Sequence, residues 1–172
     1  SIIDKLKAGE SVAIVSDAGL PSICDPGEDL VKAVKKSGFN VICIPGPCAA
    51  LTALVSSGLP SSKFTFHGFL PKNKKEREGI LMEIRNSDKT SILFESPHRL
   101  KKLLIELKEH FGCQREIQIY RELTKKFEEN IGSNLEMILD FFQDKEVIGE
   151  ITLVIEGENN LKNLEFDKYK LK

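Results

Sequence analysis

Apolar residues in this chain fall into short, dense runs separated by stretches with helical spacing. Residues 11–16 (SVAIVS) and 40–44 (NVICI) are nearly continuous apolar runs of strand length, and each is followed by a turn. Between them, residues 28–37 place Leu30, Val31 and Val34 on one helical face, and Gly38 supplies a natural stop. A helix in progress is read from Ile2, Ile3 and Leu6, ending at the Gly9 turn, and a helix of small residues is predicted over 48–57. Strand, helix, strand, helix with near-continuously apolar strands predicts a parallel sheet covered on both faces.

Residues 58–62 (GLPSS) read as a linker, so a first domain is assigned to 1–62. Beyond it the pattern predicts strands at 64–69, 91–94, 116–120 and 150–155, and helices at 75–86, 99–111 and 135–143. This second α/β domain, 63–157, has room for antiparallel pairing among its last strands. The remainder, 158–172, is polar and Lys-rich and is expected to be a loosely ordered tail. With no initiator Met and a helix already under way at Ile2, the chain is expected to begin partway through a larger protein.

Composition narrows the function classes. Hydrophobic residues make up 41% and charged residues 30%, an ordinary balance for a globular protein, and 172 residues are enough for a real core. A net charge of −1 argues against gripping nucleic acid by overall positive charge, so any such contact must be a local patch. Cys24, Cys43, Cys48 and Cys113 show neither C-x-x-C pairing nor zinc spacing. They are expected to be reduced, mostly buried thiols with no metal, in a cytoplasmic protein. No apolar run approaches the roughly 20 residues of a membrane span, and the start lacks signal-peptide character.

In open α/β sheets, ligands settle beyond the carboxyl ends of the strands. After 11–16 come Asp17, Ala18 and Gly19, then Asp25-Pro26-Gly27-Glu28. Asp17 serves either a ligand or the turn itself. Asp25 reads as an N-cap, with Pro26 at N1 and Glu28 at N3. After 40–44, Pro45-Gly46-Pro47 leads into Cys48, Ala49 and Ala50, which either admits a ligand to a helix amino end or lets that helix pack closely. Phe94-Glu95-Ser96-Pro97-His98-Arg99 repeats the arrangement: Ser96 suits a cap, and His98 is a general base or an ordinary hydrogen-bonding residue. Arg121 and Lys125 hold phosphate or pair with nearby glutamates. Lys72, Lys74, Lys75 and Arg77 form a compact basic run at a strand-to-helix loop. Walker, G-x-G-x-x-G, H-E-x-x-H and G-x-S-x-G patterns are absent, which removes the commoner nucleotide, zinc and hydrolase readings.

Taken in order, SDAGLPSICDPG (16–27), IPGPCAALTAL (44–54), GLPSSKF (58–64), GFLP (68–71), FESPHRL (94–100), RELTKKFEE (121–129) and GEITLVIEG (149–157) resemble one family. That family is the bacterial 16S ribosomal RNA cytidine 2′-O-methyltransferases, within the tetrapyrrole-methylase superfamily. The family opens with a strand and a TPIGN-type loop that have no counterpart here, so the N-terminal domain is expected to be incomplete. Leu20 stands where many relatives carry Thr.

The resemblance implies an α/β, two-domain tetrapyrrole-methylase-like fold with S-adenosylmethionine between the domains and a homodimer. Carried onto this sequence, it implies cofactor contacts from Asp17, Ala18, Gly19, Asp25, Ala49, Ala50, Phe94, Glu95, Gly149 and Glu150. It implies 16S rRNA or small-subunit contacts from Lys72, Lys74, Lys75, Arg99, Arg121 and Lys125. The attacking ribose oxygen must also lose its proton, and Glu95, His98 and Glu122 are the candidate bases, Glu95 first. A tetrapyrrole-type small-molecule methylase and a non-catalytic RNA- or partner-binding fragment are the competing readings.

Overall fold

The computed structural model describes residues 1–158; all but the first residue of the expected polar tail lies outside the described residues. The chain divides into two compact units, Ser1–Ala49 and Ala50–Lys172.

The first unit contains α1 (Ile2–Lys7) and α2 (Glu28–Lys36). α2 ends as its sequence predicts. Gly38 takes φ +80°, the Phe39 N–H donates to Val34 O at 3.3 Å, and the Gly38 N–H donates to Lys35 O at 3.1 Å. Its start corrects the expected cap: Gly27 occupies the N-cap with no side-chain bond, and the Asp25 carboxylate accepts instead from Ser16 Oγ.

The strands expected at 11–16 and 40–44 are not formed. Val15, Ile42 and Ile44 are 86%, 81% and 74% exposed, and neither segment pairs with a described strand. A helix bonds within itself, whereas every ladder bond of a strand belongs to a neighbour. An apolar run therefore states fitness for burial without supplying the partner. The thiols differ from expectation too: Cys24 and Cys43 are exposed, Cys48 and Cys113 half-buried, and none is bridged.

From Ala49 onward the order is α3 (Ala49–Ser57), β1 (Phe64–Phe69), α4 (Lys74–Asn86), β2 (Thr90–Glu95), α5 (Pro97–Phe111), β3 (Glu116–Arg121), β4 (Glu129–Asn134), α6 (Leu135–Phe142) and β5 (Ile151–Ile155). The sheet runs β1-β2-β5-β3-β4. β1 and β2 are parallel, joined by α4, and every other pairing is antiparallel. β4 was not anticipated. Its sequence, ENIGSN, has weak strand propensity, but it gains a six-residue ladder along β3. A Cβ on Gly132 would displace the end of the Gln118 side chain, which packs over it.

One face of the sheet carries the core. Leu93, Leu153 and Ile119 lie side by side in register, fully buried beneath α5 residues Leu100, Leu103, Leu104 and Leu107. The spacing of those four leucines gives α5 its single apolar stripe. Leu81 and Ile84 of α4 and Leu135, Ile138 and Phe142 of α6 complete the cluster.

At the end of the sheet where β5 finishes, Arg115 donates to Glu156 O and to Arg85 O, both at 3.1 Å. The Glu156 side chain is itself buried, and burial, then Glu116, raises its pKa above the usual 4.5. A raised carboxyl favours the fold fully below the unfolded value, and that contribution is lost as pH rises through the folded value. Glu156→Gln should therefore raise the melting temperature at pH 7, with the gain shrinking toward pH 4. Thermal melts across that range check it, and an equal shift at both ends would refute the burial argument.

Candidate functional site

In the first unit, two exposed turns are tied together. Ser16 Oγ donates to Ala18 O at 3.1 Å as well as to Asp25, and the Leu20 N–H donates to Pro47 O at 3.0 Å. Gly19 (φ +75°) backs onto that same carbonyl, where a Cβ would stand 3.0 Å away. Ser22 and Cys24 take φ +69° and +57°, uncommon for residues with a side chain. Strain of this kind persists where surrounding bonds over-determine a turn. Asp17, Ala18, Gly19 and Asp25 are thus displayed on one stiff loop anchored beside Pro47, two residues before α3 begins at Ala49.

In the second unit, the register places Glu95, Ile151, Arg121 and Glu129 across one end of the sheet. The carboxyl ends of β1, β2 and β3 and the entries to β4 and β5 all meet there. Glu95 and Arg121 stand there, and Lys72, Arg99, Lys125 and Glu150 follow or precede the strand ends within four residues.

Glu95 is its internal anchor. The carboxylate has no solvent exposure. Oε1 accepts from the Ser96 N–H at 2.7 Å and faces Arg99 Nε at 3.2 Å, while Oε2 makes no hydrogen bond and has Arg77 Nη2 at 4.0 Å. Arg77 is held by Glu106 at 2.6 Å, and Arg99 Nη2 donates to Leu70 O at 2.7 Å. Glu95 is therefore enclosed by the protein's own groups, with Oε2 left without a hydrogen bond. Phe94 points to the opposite face and packs edge-on against Phe66 and Phe69, at 5.0 and 5.7 Å between ring centroids.

The loop after β3 is latched to the entry of β5. The Glu122 N–H donates to Glu150 O at 2.9 Å, and Glu122 Oε1 accepts from the Glu150 N–H at 2.8 Å. Lys125 lies 2.9 Å from the Glu150 carboxylate and 3.3 Å from that of Glu122. The Glu150 N–H, and then Lys125, hold the Glu122 carboxyl below its usual range, while Glu150 and Glu122 raise Lys125. A Cβ on Gly149 would lie 2.6 Å from the Glu122 side chain, so glycine is what the latch admits.

These bonds sort the expected RNA-contacting cations. Arg121 is paired with Glu129 at 2.9 Å, and Arg99 and Lys125 are engaged as above. Lys72, Lys74 and Lys75 are exposed and form no ion pair with any described residue. A cavity of about 470 Å³ is lined by Pro97, His98, Lys101, Lys145, Glu146, Val147, Ile148 and Gly149. Lys101 donates to Gln143 O at 3.0 Å, and Lys145 sits 3.2 Å over the Phe141 ring. His98 is exposed at the cavity wall. No pattern along the chain marks Lys101, Lys145 or the Arg77–Glu106 pair, whose partners lie far apart in the chain. Among the described residues no His, Cys, Asp and Glu are grouped to hold a metal, and no helix is long and apolar enough to cross a membrane.

The profile of the family described as Tetrapyrrole (Corrin/Porphyrin) Methylases matches residues 1–138, and the chain belongs to that family. It is similar to the "Ribosomal RNA small subunit methyltransferase I" of Bacillus subtilis (strain 168), 45% identical over 159 residues, which is 92% of this chain and 54% of that protein. The like-named protein of Vibrio cholerae is 44% identical over 158 residues, 91% of this chain and 55% of its own. The chain spans about half the length of these relatives. Among solved structures, the methyltransferase CobJ superposes with a TM-score of 0.68 at 19% identity, over 90% of this chain and 68% of its own. The cobalt precorrin-4 methyltransferase CbiF gives 0.64 at 14% identity, over 90% of this chain and 67% of its own. At these identities the two superpositions establish the fold.

Proposed function

We propose that this chain forms part of an enzyme that transfers a methyl group from S-adenosylmethionine to the ribose 2′-hydroxyl of a cytidine in 16S ribosomal RNA. The observation that carries the reading is 44–45% identity, across nine-tenths of the chain, to proteins named as small-subunit rRNA methyltransferases. Three exposed lysines, Lys72 in the loop and Lys74 and Lys75 at the start of α4, support it, because a phosphate backbone is met by clustered cations.

The first unit fits the cofactor chemically. Asp17 offers an exposed carboxylate for ribose hydroxyls, and Ala18 and Gly19 offer backbone without bulk. The amino end of α3 carries no acidic residue in its first turn and suits a carboxylate. When bound, the cofactor supplies a methyl carbon already activated by its sulfonium. The protein's share is then alignment of the attacking oxygen, a proximity effect, and removal of its proton. His98, exposed at the cavity wall, is the proposed acceptor of that proton. Glu95 is a positioning residue, which fixes Arg99 and the start of α5 and so the place of His98.

The test is methyl transfer from labelled S-adenosylmethionine to 30S subunits, with the product nucleoside located by mass spectrometry. Label on a cytidine ribose of 16S RNA is the expected result. Label on a tetrapyrrole alone overturns the substrate, and cofactor binding without transfer to either acceptor overturns the reaction.

A further inference from the structure

The loop between β3 and β4 carries a feature that the proposed chemistry has not used. Phe127 is 64% exposed, and Lys126 Nζ lies 5.5 Å from its ring centroid. The loop that displays the ring is stiff: Glu122 and Thr124 take φ +50° and +66° without being glycine. Turn bonds run from the Lys125 N–H to Glu122 O at 2.9 Å and from the Glu128 N–H to Lys125 O at 3.1 Å. The latch to Glu150 fixes its base. Strained turns held by their surroundings are a recurrent mark of function, and this one costs conformational energy to hold an aromatic ring in water.

The charges around the ring say what would cover it. Of the acids beside it, Glu128 accepts from the Thr124 N–H and Glu129 is paired with Arg121, so both are occupied. Lys126 forms no ion pair with a described residue, and its ammonium lies over one face of the ring. A flat π-face with a free cation alongside matches a nucleotide, which carries a base and a phosphate a few ångströms apart. An aliphatic protein surface would match the ring and leave the cation without purpose.

We propose that Phe127 is a stacking platform for an unpaired base of the RNA substrate, with Lys126 meeting the adjacent phosphate. This rests on the rRNA reading above and deepens it, since a single-stranded stretch is the form of RNA whose bases can be stacked on side chains.

The test is fluorescence anisotropy of a labelled single-stranded RNA 12-mer with the wild-type protein and the variants Phe127→Ala, Phe127→Leu, Phe127→Trp and Lys126→Gln. Stacking predicts that the Ala and Leu variants bind roughly five- to a hundredfold more weakly, whereas Trp retains affinity. It also predicts an unchanged salt slope for the Ala variant and a slope lower by about 0.7 for Lys126→Gln. Leu binding as tightly as Trp overturns the proposal while leaving the rRNA reading intact. So does a Phe127→Ala variant that binds normally but melts earlier or changes oligomeric state, because protein then covers the ring. Failure of the wild-type protein to bind RNA overturns both.

Discussion

Replacing Glu95 by alanine should destabilise the second unit by about 3 kcal/mol, the low end of the cost of breaking a buried ion pair. Three groups converge on this carboxylate: the Ser96 N–H, Arg99 and, more distantly, Arg77. Removing it strands the Ser96 N–H at the start of α5 and leaves Arg99 with Leu70 O as its remaining partner. The loss stays near 3 kcal/mol because Arg77 keeps Glu106. Glu95→Gln restores an acceptor for the Ser96 N–H and should cost less than half as much. Urea unfolding measures both, as a lowered midpoint at constant slope. The comparison also separates two roles. A positioning residue loses activity in proportion to stability, with partial recovery in the Gln variant. An Ala variant of normal stability with no methyl transfer would return Glu95 to the reacting atoms.

Glu95 also shows how far sequence reading reaches. Phe-Glu-Ser-Pro-His-Arg announces a strand end, a cap position and a helix start, and all three are observed: β2 closes at Glu95, Ser96 stands at the N-cap, and Pro97 opens α5. Such signals are local and lie in adjacent residues. What the carboxylate touches depends on Arg77, which lies on another helix, 18 residues earlier in the chain. No periodicity encodes that meeting. The same limit explains β4, whose six residues carry little strand preference and take their form from β3. It also explains residues 11–16 and 40–44, which carry strong preference and lack a ladder partner.

The site was legible to the same degree. The sequence placed candidate ligand-facing residues at strand ends, and the register sets two of them, Glu95 and Arg121, at one end of the sheet, each opposite Ile151. It could not tell an engaged cation from a free one. Arg121-Glu122 and Lys72-Asn73-Lys74-Lys75 look equally basic as strings. Only the folded chain shows the first consumed by Glu129 and the second left to solvent.

That distinction sets the other large expected effect, on the lysines at the start of α4. Replacing Lys72, Lys74 and Lys75 together by Gln should weaken RNA binding roughly a hundredfold at physiological salt and lower the salt slope by about 2. Folding stability should hold or rise slightly, for a specific reason. Lys74 and Lys75 open α4 directly after the Asn73 cap, whose side chain accepts from the Lys75 and Glu76 N–H groups. Cations there oppose the helix dipole, at about 0.3–1 kcal/mol each. They form no ion pair with a described residue that would offset it. Titrations of wild type and variant at several salt concentrations decide the matter. Parallel lines on a logarithmic salt plot would mean that these lysines neutralise no phosphates, and the RNA-facing assignment of this edge would fall with them.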